Sequence, residues 1–410
     1  MQTSPPLLFT AGAFVALFIF ISLYSFLSPH PIPISFSFSS SPTDQSRTFY
    51  DDPSLTYTID KPISNWDEKR IAWLKLHPSF SAKTDTDRVL MISGSQPTPC
   101  PSYEGDHILL RSLKNKADYC RLHGIQLFYN TALLNPSMPT FWAKIPVIRA
   151  AMLAHPEADW VWWVDSDAIF TDMDFFPPLT RYRAHNMVVH GWPELIYEKK
   201  SWVSLNAGVF LIRNCQWAFD FMDEWASMGP SSPDYEKWGK ILTSTFKDKM
   251  FKNSDDQSAL VYLILTGKGG WRDKIYLENE YYFEGYWFEI VGRLENISAR
   301  YNEMEMNGPA VLRRRHAERV FVSNAKQRDA QLRREKGAIK RRPFLTHFAG
   351  CQPCSGDRNK QYSGDNCTEG MYRALNFADD QVLRIYGFRH ASLLSGNVQP
   401  LPFDYPHVGR

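Results

Sequence analysis

The stretch Trp160-Val161-Trp162-Trp163-Val164-Asp165-Ser166-Asp167 decides the fold class of this chain. Its apolar part is too short for an ordinary helix and reads as a strand buried on both faces. Two carboxylates follow where such a strand leaves the core. Residues i and i+2 of an extended segment point to the same side, so Asp165 and Asp167 can converge on one hard divalent cation. Asp-x-Asp pairs also occur in solvated turns, where they are inert. Here Ala168-Ile169-Phe170 is apolar again, and carboxylates set between buried segments are costly without a partner.

Outward from this strand, apolar runs alternate with helical spacing. Residues 88–93 read as a first strand, ending in the turn Gly94-Ser95-Gln96-Pro97 with free backbone N–H groups and two polar side chains. Residues 108–123 have helical periodicity, 125–129 read as a second strand, and 146–154 as a helix ended by His155-Pro156. Residues 186–190 and 209–213 are further strands, the latter preceded by Leu205-Asn206-Ala207-Gly208. Residues 216–228 are helical and stop at Gly229-Pro230. Asp255-Asp256-Gln257 opens the apolar helix 258–265. One acid suffices as an N-cap, so a second acid and an amide exceed what capping requires. The Arg- and Lys-rich segment 311–342, with interspersed Glu, Gln and Asp, reads as a solvated surface helix. A last strand is expected over 343–348, carrying His347, an imidazole suited to a borderline cation. Strands alternating with helices, with polar residues at strand ends, imply a doubly wound α/β domain. No nucleophile elbow, phosphate loop or dinucleotide fingerprint stands in the right context.

The chain has 410 residues and a net charge of +2, which gives no global argument for nucleic acid. Residues 7–27 carry no charge, and a helix of that length spans about 31 Å against a hydrocarbon core of roughly 30 Å. They read as a transmembrane signal anchor rather than a cleaved signal peptide, since no basic region precedes them. Residues 1–6 would then be a short cytosolic tail, the Ser/Pro-rich residues 28–60 a stem, and 61–410 a lumenal catalytic domain. The six cysteines (Cys100, Cys120, Cys215, Cys351, Cys354 and Cys367) permit disulfides in that compartment, and at least one is expected to involve Cys351, Cys354 or Cys367. Half of a zinc site at Cys351-x-x-Cys354 lacks its second pair. Asn296-Ile297-Ser298 and Asn366-Cys367-Thr368 are glycosylation sequons, the second weakened if Cys367 is bridged.

The blocks Phe49-Tyr50-Asp51-Asp52-Pro53, Asn65-Trp66-Asp67-Glu68-Lys69-Arg70, Ser93-Gly94-Ser95-Gln96-Pro97, Trp162 to Asp167, Leu205 to Leu211, Asp255-Asp256-Gln257, Tyr281 to Trp287 and His347 to Cys354 form a specific set. By them the chain resembles plant glycosyltransferase family 34, most closely its galactomannan α-1,6-galactosyltransferases, with the xyloglucan α-1,6-xylosyltransferases as near relatives. The resemblance implies a GT-A type fold, a Rossmann-like, mainly parallel sheet flanked by helices. It implies Mn²⁺, a UDP-sugar donor, a polysaccharide acceptor (a β-mannan) and retention of anomeric configuration. Asp165 and Asp167 would hold the metal with His347 as third ligand. Ser95, Gln96 and Gly350 would lie along the UDP, with Ser166 and Gln352 in the same donor site. Asn206 and Ala207 would lie near the donor sugar, and Asp256 and Gln257 would face the reacting carbon. The xylosyl branch carries Lys at the position of Gln352, whereas Tyr235-Glu236-Lys237-Trp238-Gly239 follows the galactosyl branch. A Golgi membrane location follows from the same resemblance, with a mannan synthase complex or self-association as possible partnerships and no nucleic acid. The rivals are a xyloglucan xylosyltransferase, a glycoside hydrolase, which an Asp-x-Asp clamp does not equip, and a non-catalytic UDP- or glycan-binding partner of Golgi transferases.

Overall fold

The computed structural model describes residues 52–53, 55–81, 87–309, 312, 318–334, 341–355 and 362–401. The tail, the anchor and most of the stem lie outside these residues. No helix among the described residues is long and apolar enough to cross a membrane.

The strands in chain order are β1 (Val89–Gly94), β2 (Gln126–Asn130), β3 (Trp160–Val164), β4 (Ala168–Phe170), β5 (Met187–Gly191), β6 (Leu205–Arg213), β7 (Ile275–Glu278), β8 (Gly285–Tyr286) and β9 (Leu345–His347). Six of them form the central sheet, in the order β2-β1-β3-β6-β5-β7. The pairs β1–β2, β1–β3 and β5–β7 are parallel, while β6 runs antiparallel to both β3 and β5. The sheet is therefore mixed: the parallel expectation holds on its flanks and reverses at β6. All five residues of β3 are buried. Trp160, Trp162 and Val164 join one core, and Val161 and Trp163 the other. That alternation is what an apolar run between two helical layers requires.

A second sheet, β4-β9-β8, stands beside the carboxyl end of β3. In it Ala168 pairs with His347 and His347 with Tyr286. This pairing carries His347 back to the Asp165–Asp167 turn.

The longer helices are α1 (Trp66–Leu76), α2 (Tyr103–His123), α3 (Lys144–Ala154), α4 (Gln216–Ala226), α5 (Tyr235–Thr245), α6 (Asp256–Thr266), α7 (Leu294–Asn307), α8 (Phe321–Arg334) and α9 (Gly364–Leu383). α2 begins five residues before its periodicity shows, because the Ser102 side chain caps it by accepting from the Gly105 N–H at 3.1 Å. α3 begins two residues before Pro146, a position in the first turn where proline removes no helical bond. β6 starts at Leu205 rather than at 209. The strand over 343–348 is not the last, because β10 (Phe388–His390) and β11 (Val398–Pro400) pair after it. α1, α5, α7, α9, β7, β8, β10 and β11 have no counterpart in the sequence reading.

Where it is described, the basic segment 311–342 does form a surface helix, with only Phe321 of α8 buried, but part of its charge is tied down in ion pairs. Arg328 grips Asp174 with two bonds of 2.6 Å, Arg342 reaches Asp174 at 3.1 Å, and Arg341 reaches Asp172 at 2.8 Å. The acidic partners lie far back in the chain, on the stretch after β4, so the local charge pattern could not reveal them. At the other end, Leu55 and Ile59, within the expected stem, pack against the core. Arg149 donates to the backbone carbonyls of Thr58 and Lys61 at 3.1 and 3.0 Å.

Two disulfides form, Cys100–Cys354 and Cys351–Cys367, while Cys120 and Cys215 stay free. Each member of the Cys351-x-x-Cys354 pair is thus bonded elsewhere, and the zinc reading lapses. Asn296 and Asn366 are both exposed, and Cys367 of the second sequon is bridged.

Candidate active site

The turn between β3 and β4 places Asp165 and Asp167 at the sheet edge. Lys116, buried in α2, props that turn by donating to the carbonyls of Ser166 and Ala168 at 3.1 and 2.7 Å. Burial pulls the Lys116 pKa down to about 8, with Asp167 and Asp165 opposing. The indole N–H of Trp163 donates to Asp165 Oδ1 at 2.6 Å. His347 arrives on β9 with Nε2 3.2 Å from Asp167 Oδ1 and 3.9 Å from Asp165 Oδ2. Its Nδ1 meets Glu284 Oε1 at 3.1 Å. A carboxylate behind the second ring nitrogen is the arrangement that orients a metal-binding imidazole.

Asp165, Asp167 and His347 each offer a ligand atom, and these atoms lie within 4.8 Å of one another. Gly208 on β6 leaves them room: a Cβ there would come 2.5 Å from His347 Cε1 and 2.6 Å from Asp165 Oδ2. Two carboxylates and one imidazole, converging over a glycine floor, suit a divalent cation. Without a cation, burial works against the His347 imidazolium, but Asp167 and Glu284 outweigh it and raise its pKa well above the usual histidine value. Asp167 is lowered: burial opposes this, and His347 outweighs burial.

Behind the cluster stands Lys144, the first residue of α3. It is buried, and its ammonium lies 2.7 Å from Asp256 Oδ2, 3.6 Å from Asp165 Oδ1 and 2.9 Å from the Ala207 carbonyl. Burial alone would lower the Lys144 pKa, but Asp165 and Asp256 raise it, so it remains charged. Burial pushes the Asp256 carboxyl up to about 6, against the pull of Lys144. Asp255 is the helix cap, accepting from the Ser258 N–H at 2.8 Å and paired with Lys249 at 2.8 Å. Of the two acids, Asp256 is therefore the one that faces the site. The Gln257 amide is held at both ends: its oxygen accepts from the Ala207 N–H at 3.4 Å, and its nitrogen donates to the Trp202 carbonyl at 3.0 Å. The Asn206 side chain accepts from the Gly208 N–H at 2.7 Å.

A cavity of about 670 Å³ opens in front of this group. Ser95, Gln96, Lys144, Asp165, Ser166, Asp167 and Gln352 all line it. Asn206, Ala207, Asp256 and Gln257 are not among the residues lining it; Ala207 and Asp256 bond to Lys144, which is, and Gln257 reaches it through the Ala207 backbone. Gly350 is not among the residues lining it; at φ 86 it turns the chain that carries Gln352 there. The Ser95 N–H is not free as expected, since it donates to the Asn130 carbonyl at 3.0 Å.

Sequence reasoning missed Lys144, Lys116 and the partner role of Glu284. A signal existed for two of them. Lys144 is a lone charge in Phe141-Trp142-Ala143-Lys144-Ile145-Pro146-Val147-Ile148, and Glu284 a lone charge among aromatics. A single charge in an apolar run is buried only when paired.

The sequence pattern of the galactosyl transferase GMA12/MNN10 family matches residues 85–358. Probable glycosyltransferase 7 of Oryza sativa subsp. japonica is 63% identical, over 97% of this chain and 90% of its own length. Galactomannan galactosyltransferase 1 of Cyamopsis tetragonoloba is 54% identical, over 97% of this chain and 95% of its own. Probable xyloglucan 6-xylosyltransferase 3 of Arabidopsis thaliana is 44% identical, over 88% of this chain and 72% of its own.

Proposed function

The chain belongs to the galactosyl transferase GMA12/MNN10 family, and from that premise we propose which sugar it moves, and to what. It is a glycosyltransferase. The reading is a GT-A type enzyme that transfers galactose from UDP-galactose to the 6-hydroxyl of mannosyl units in a β-1,4-mannan. The reaction retains anomeric configuration and depends on Mn²⁺. The observation that carries it is the Asp165–Asp167–His347 cluster at the edge of a cavity, with Lys144 joining it to Asp256. The galactosyl half rests on 54% identity to the galactomannan enzyme against 44% to the xyloglucan one. That second relative keeps a UDP-xylose and β-1,4-glucan reading as the alternative.

Asp165, Asp167 and His347 would hold the cation, which when bound supplies Lewis-acid neutralisation of the diphosphate. Lys144, itself buried, sets a second positive charge against Asp165 and Asp256. Asp256, its carboxylate held by Lys144, would orient the donor sugar or steady the positive charge that develops on it. Gln257, held by backbone at both ends, keeps its amide in place as a dipole and is not free to attack. An amide is also a poor nucleophile, and this favours same-face attack over a covalent intermediate. The acceptor oxygen bonds to the anomeric carbon as the bond to the diphosphate breaks, and the departing phosphate oxygen takes the acceptor proton. The fold would be tethered in the Golgi membrane by residues 7–27, with the catalytic unit lumenal. Protease treatment of sealed vesicles should spare that unit, and its digestion without detergent would reverse the topology. A donor panel of UDP-galactose, UDP-xylose and UDP-glucose against manno- and cello-oligosaccharides tests the reaction. Preference for UDP-xylose with cellohexaose would overturn the galactosyl reading and leave the metal reading standing.

A further inference from the structure

We propose that the two disulfides are a paired staple that pre-sets the donor-binding wall over residues 350–355, holding Gln352 in a backbone conformation it would not keep alone. The proposal rests on the donor reading of the cavity. Gln352 has φ 40, in the left-handed region where a side chain other than glycine is strained, and it faces the cavity. Such a residue persists only when its surroundings over-determine it. Here a covalent bond is anchored on each side of it. Cys351, the residue before it, is bonded to Cys367 in the first turn of α9. Cys354, two residues after it, is bonded to Cys100 across a sequence separation of 254 residues.

The second bond joins the cavity's two rims. Cys100 follows the Gln96–Pro99 rim, and the Gln96 side-chain amide lies 3.5 Å from its sulfur. The Cys100 backbone N–H donates to Asp106 in α2 at 2.8 Å, which fixes that rim to a helix. Cys354, Gln352 and Ser355 line the facing rim, where the Ser355 hydroxyl donates to Gln352 Oε1 at 3.3 Å. Both rims close on Gly105 of α2. A Cβ there would come 2.8 Å from the Pro353 carbonyl oxygen, 3.1 Å from Cys100 Cβ and 3.2 Å from Cys354 Cα. His347 lies only four residues before Cys351, but the pairing of β9 with β4 and β8 holds it independently of the bridges, so the staple acts on donor binding and leaves the cation alone. Cys100 and Cys354 are positioning residues, acting through Gln96 and Gln352.

The test compares three variants of the full lumenal enzyme: Cys100→Ser/Cys354→Ser, Gly105→Ala, and Leu375→Ala. The last removes core volume in α9 away from the rims and sets a reference for lost stability alone. UDP binding with Mn²⁺ present is measured by calorimetry, alongside KM and kcat for UDP-galactose. A loosened wall loses pre-organisation, so the donor KM of the first two should rise about tenfold, with kcat within about threefold and Mn²⁺ affinity unchanged. Leu375→Ala should lower Tm and leave the donor KM as it is. Gly105→Ala keeps both bridges and decides the matter if the double variant does not fold. A native donor KM in either rim variant, or an equal KM rise in Leu375→Ala, overturns the staple. Native enzyme that binds no UDP at all would instead overturn the donor reading beneath it.

Discussion

Gly208→Ala adds one methyl group at the floor of the metal cluster, and its effect can be worked from distances. The new carbon would sit 2.5 Å from His347 Cε1, 2.6 Å from Asp165 Oδ2 and 2.9 Å from Asn206 Oδ1. Carbon–carbon contacts settle near 3.5 Å or beyond, so His347 or Asp165 must retreat by roughly 1 Å. A metal site tolerates displacements of about 0.2 Å in its ligands. Disturbing only the groups behind a ligand already costs about 10–100-fold in affinity, so moving a ligand itself should cost at least about 100-fold. The fold should survive, since inserting a methyl group into a packed site costs about 1–3 kcal/mol. Gly208 is not in a left-handed conformation, so the loss would come from crowding alone. Gly124→Ala is the opposite case, with open space around the new carbon but φ 65. It should lose about 1 kcal/mol of stability and keep the native cation affinity. The assay is calorimetric titration of the metal-free enzyme with Mn²⁺, with circular dichroism to confirm folding. Gly208→Ala binding Mn²⁺ within about threefold of the native enzyme would refute the crowding argument and, with it, the assignment of the three ligands.

Asp165→Ala, Asp167→Ala and His347→Ala should each abolish transfer in protein that remains folded. Mn²⁺-independent turnover by folded Asp165→Ala would refute this. Lys144→Met strips the cation from two acids at once, so stability should fall by about 3–5 kcal/mol and kcat/KM by at least about 100-fold; urea unfolding and initial rates read the two losses. Asp174 gives a pH dependence. Burial alone would raise its carboxyl, but Arg328 and Arg342 hold it at about 2, from an ordinary 3.8. A lowered carboxylate stabilises the fold by about 2 kcal/mol above its unfolded pKa and loses that as pH falls from about 4 to about 2. The stability gap between native and Asp174→Asn protein should narrow over that interval in denaturant titrations, and a constant gap would contradict the pairing.

What the sequence showed of this fold depended on how local each determinant was. β3 and the Asp165–Asp167 pair were legible because a two-faced apolar run and its polar exit are adjacent residues. β6 was read four residues short, because Asn206, Ala207 and Gly208 break the apolar pattern where the site needs small and polar groups. His347 could be recognised by family likeness, but its place beside Asp165 depends on the β4–β9 pairing, which no neighbouring residue announces. Of Asp255 and Asp256, only their tertiary partners, Lys249 for the cap and Lys144 for the site residue, tell one role from the other. The surface helix of the basic segment 311–342 was legible, but its pairing with Asp172 and Asp174 was not, because those two acids lie far earlier in the chain.

The distance in chain between the metal-binding residues also sets an order of events during folding. Asp165 and Asp167 leave the central sheet in the middle of the chain, and His347 joins them only when β9 docks between β4 and β8. Closing so long a loop is slow, because its entropy is lost before any contact repays it. A nascent chain that ends short of residue 345 carries two carboxylates and no imidazole. Tight cation binding should therefore arise late in refolding, after the central sheet has formed. It would serve as a clock for the arrival of the C-terminal segment rather than as a nucleus around which the rest assembles.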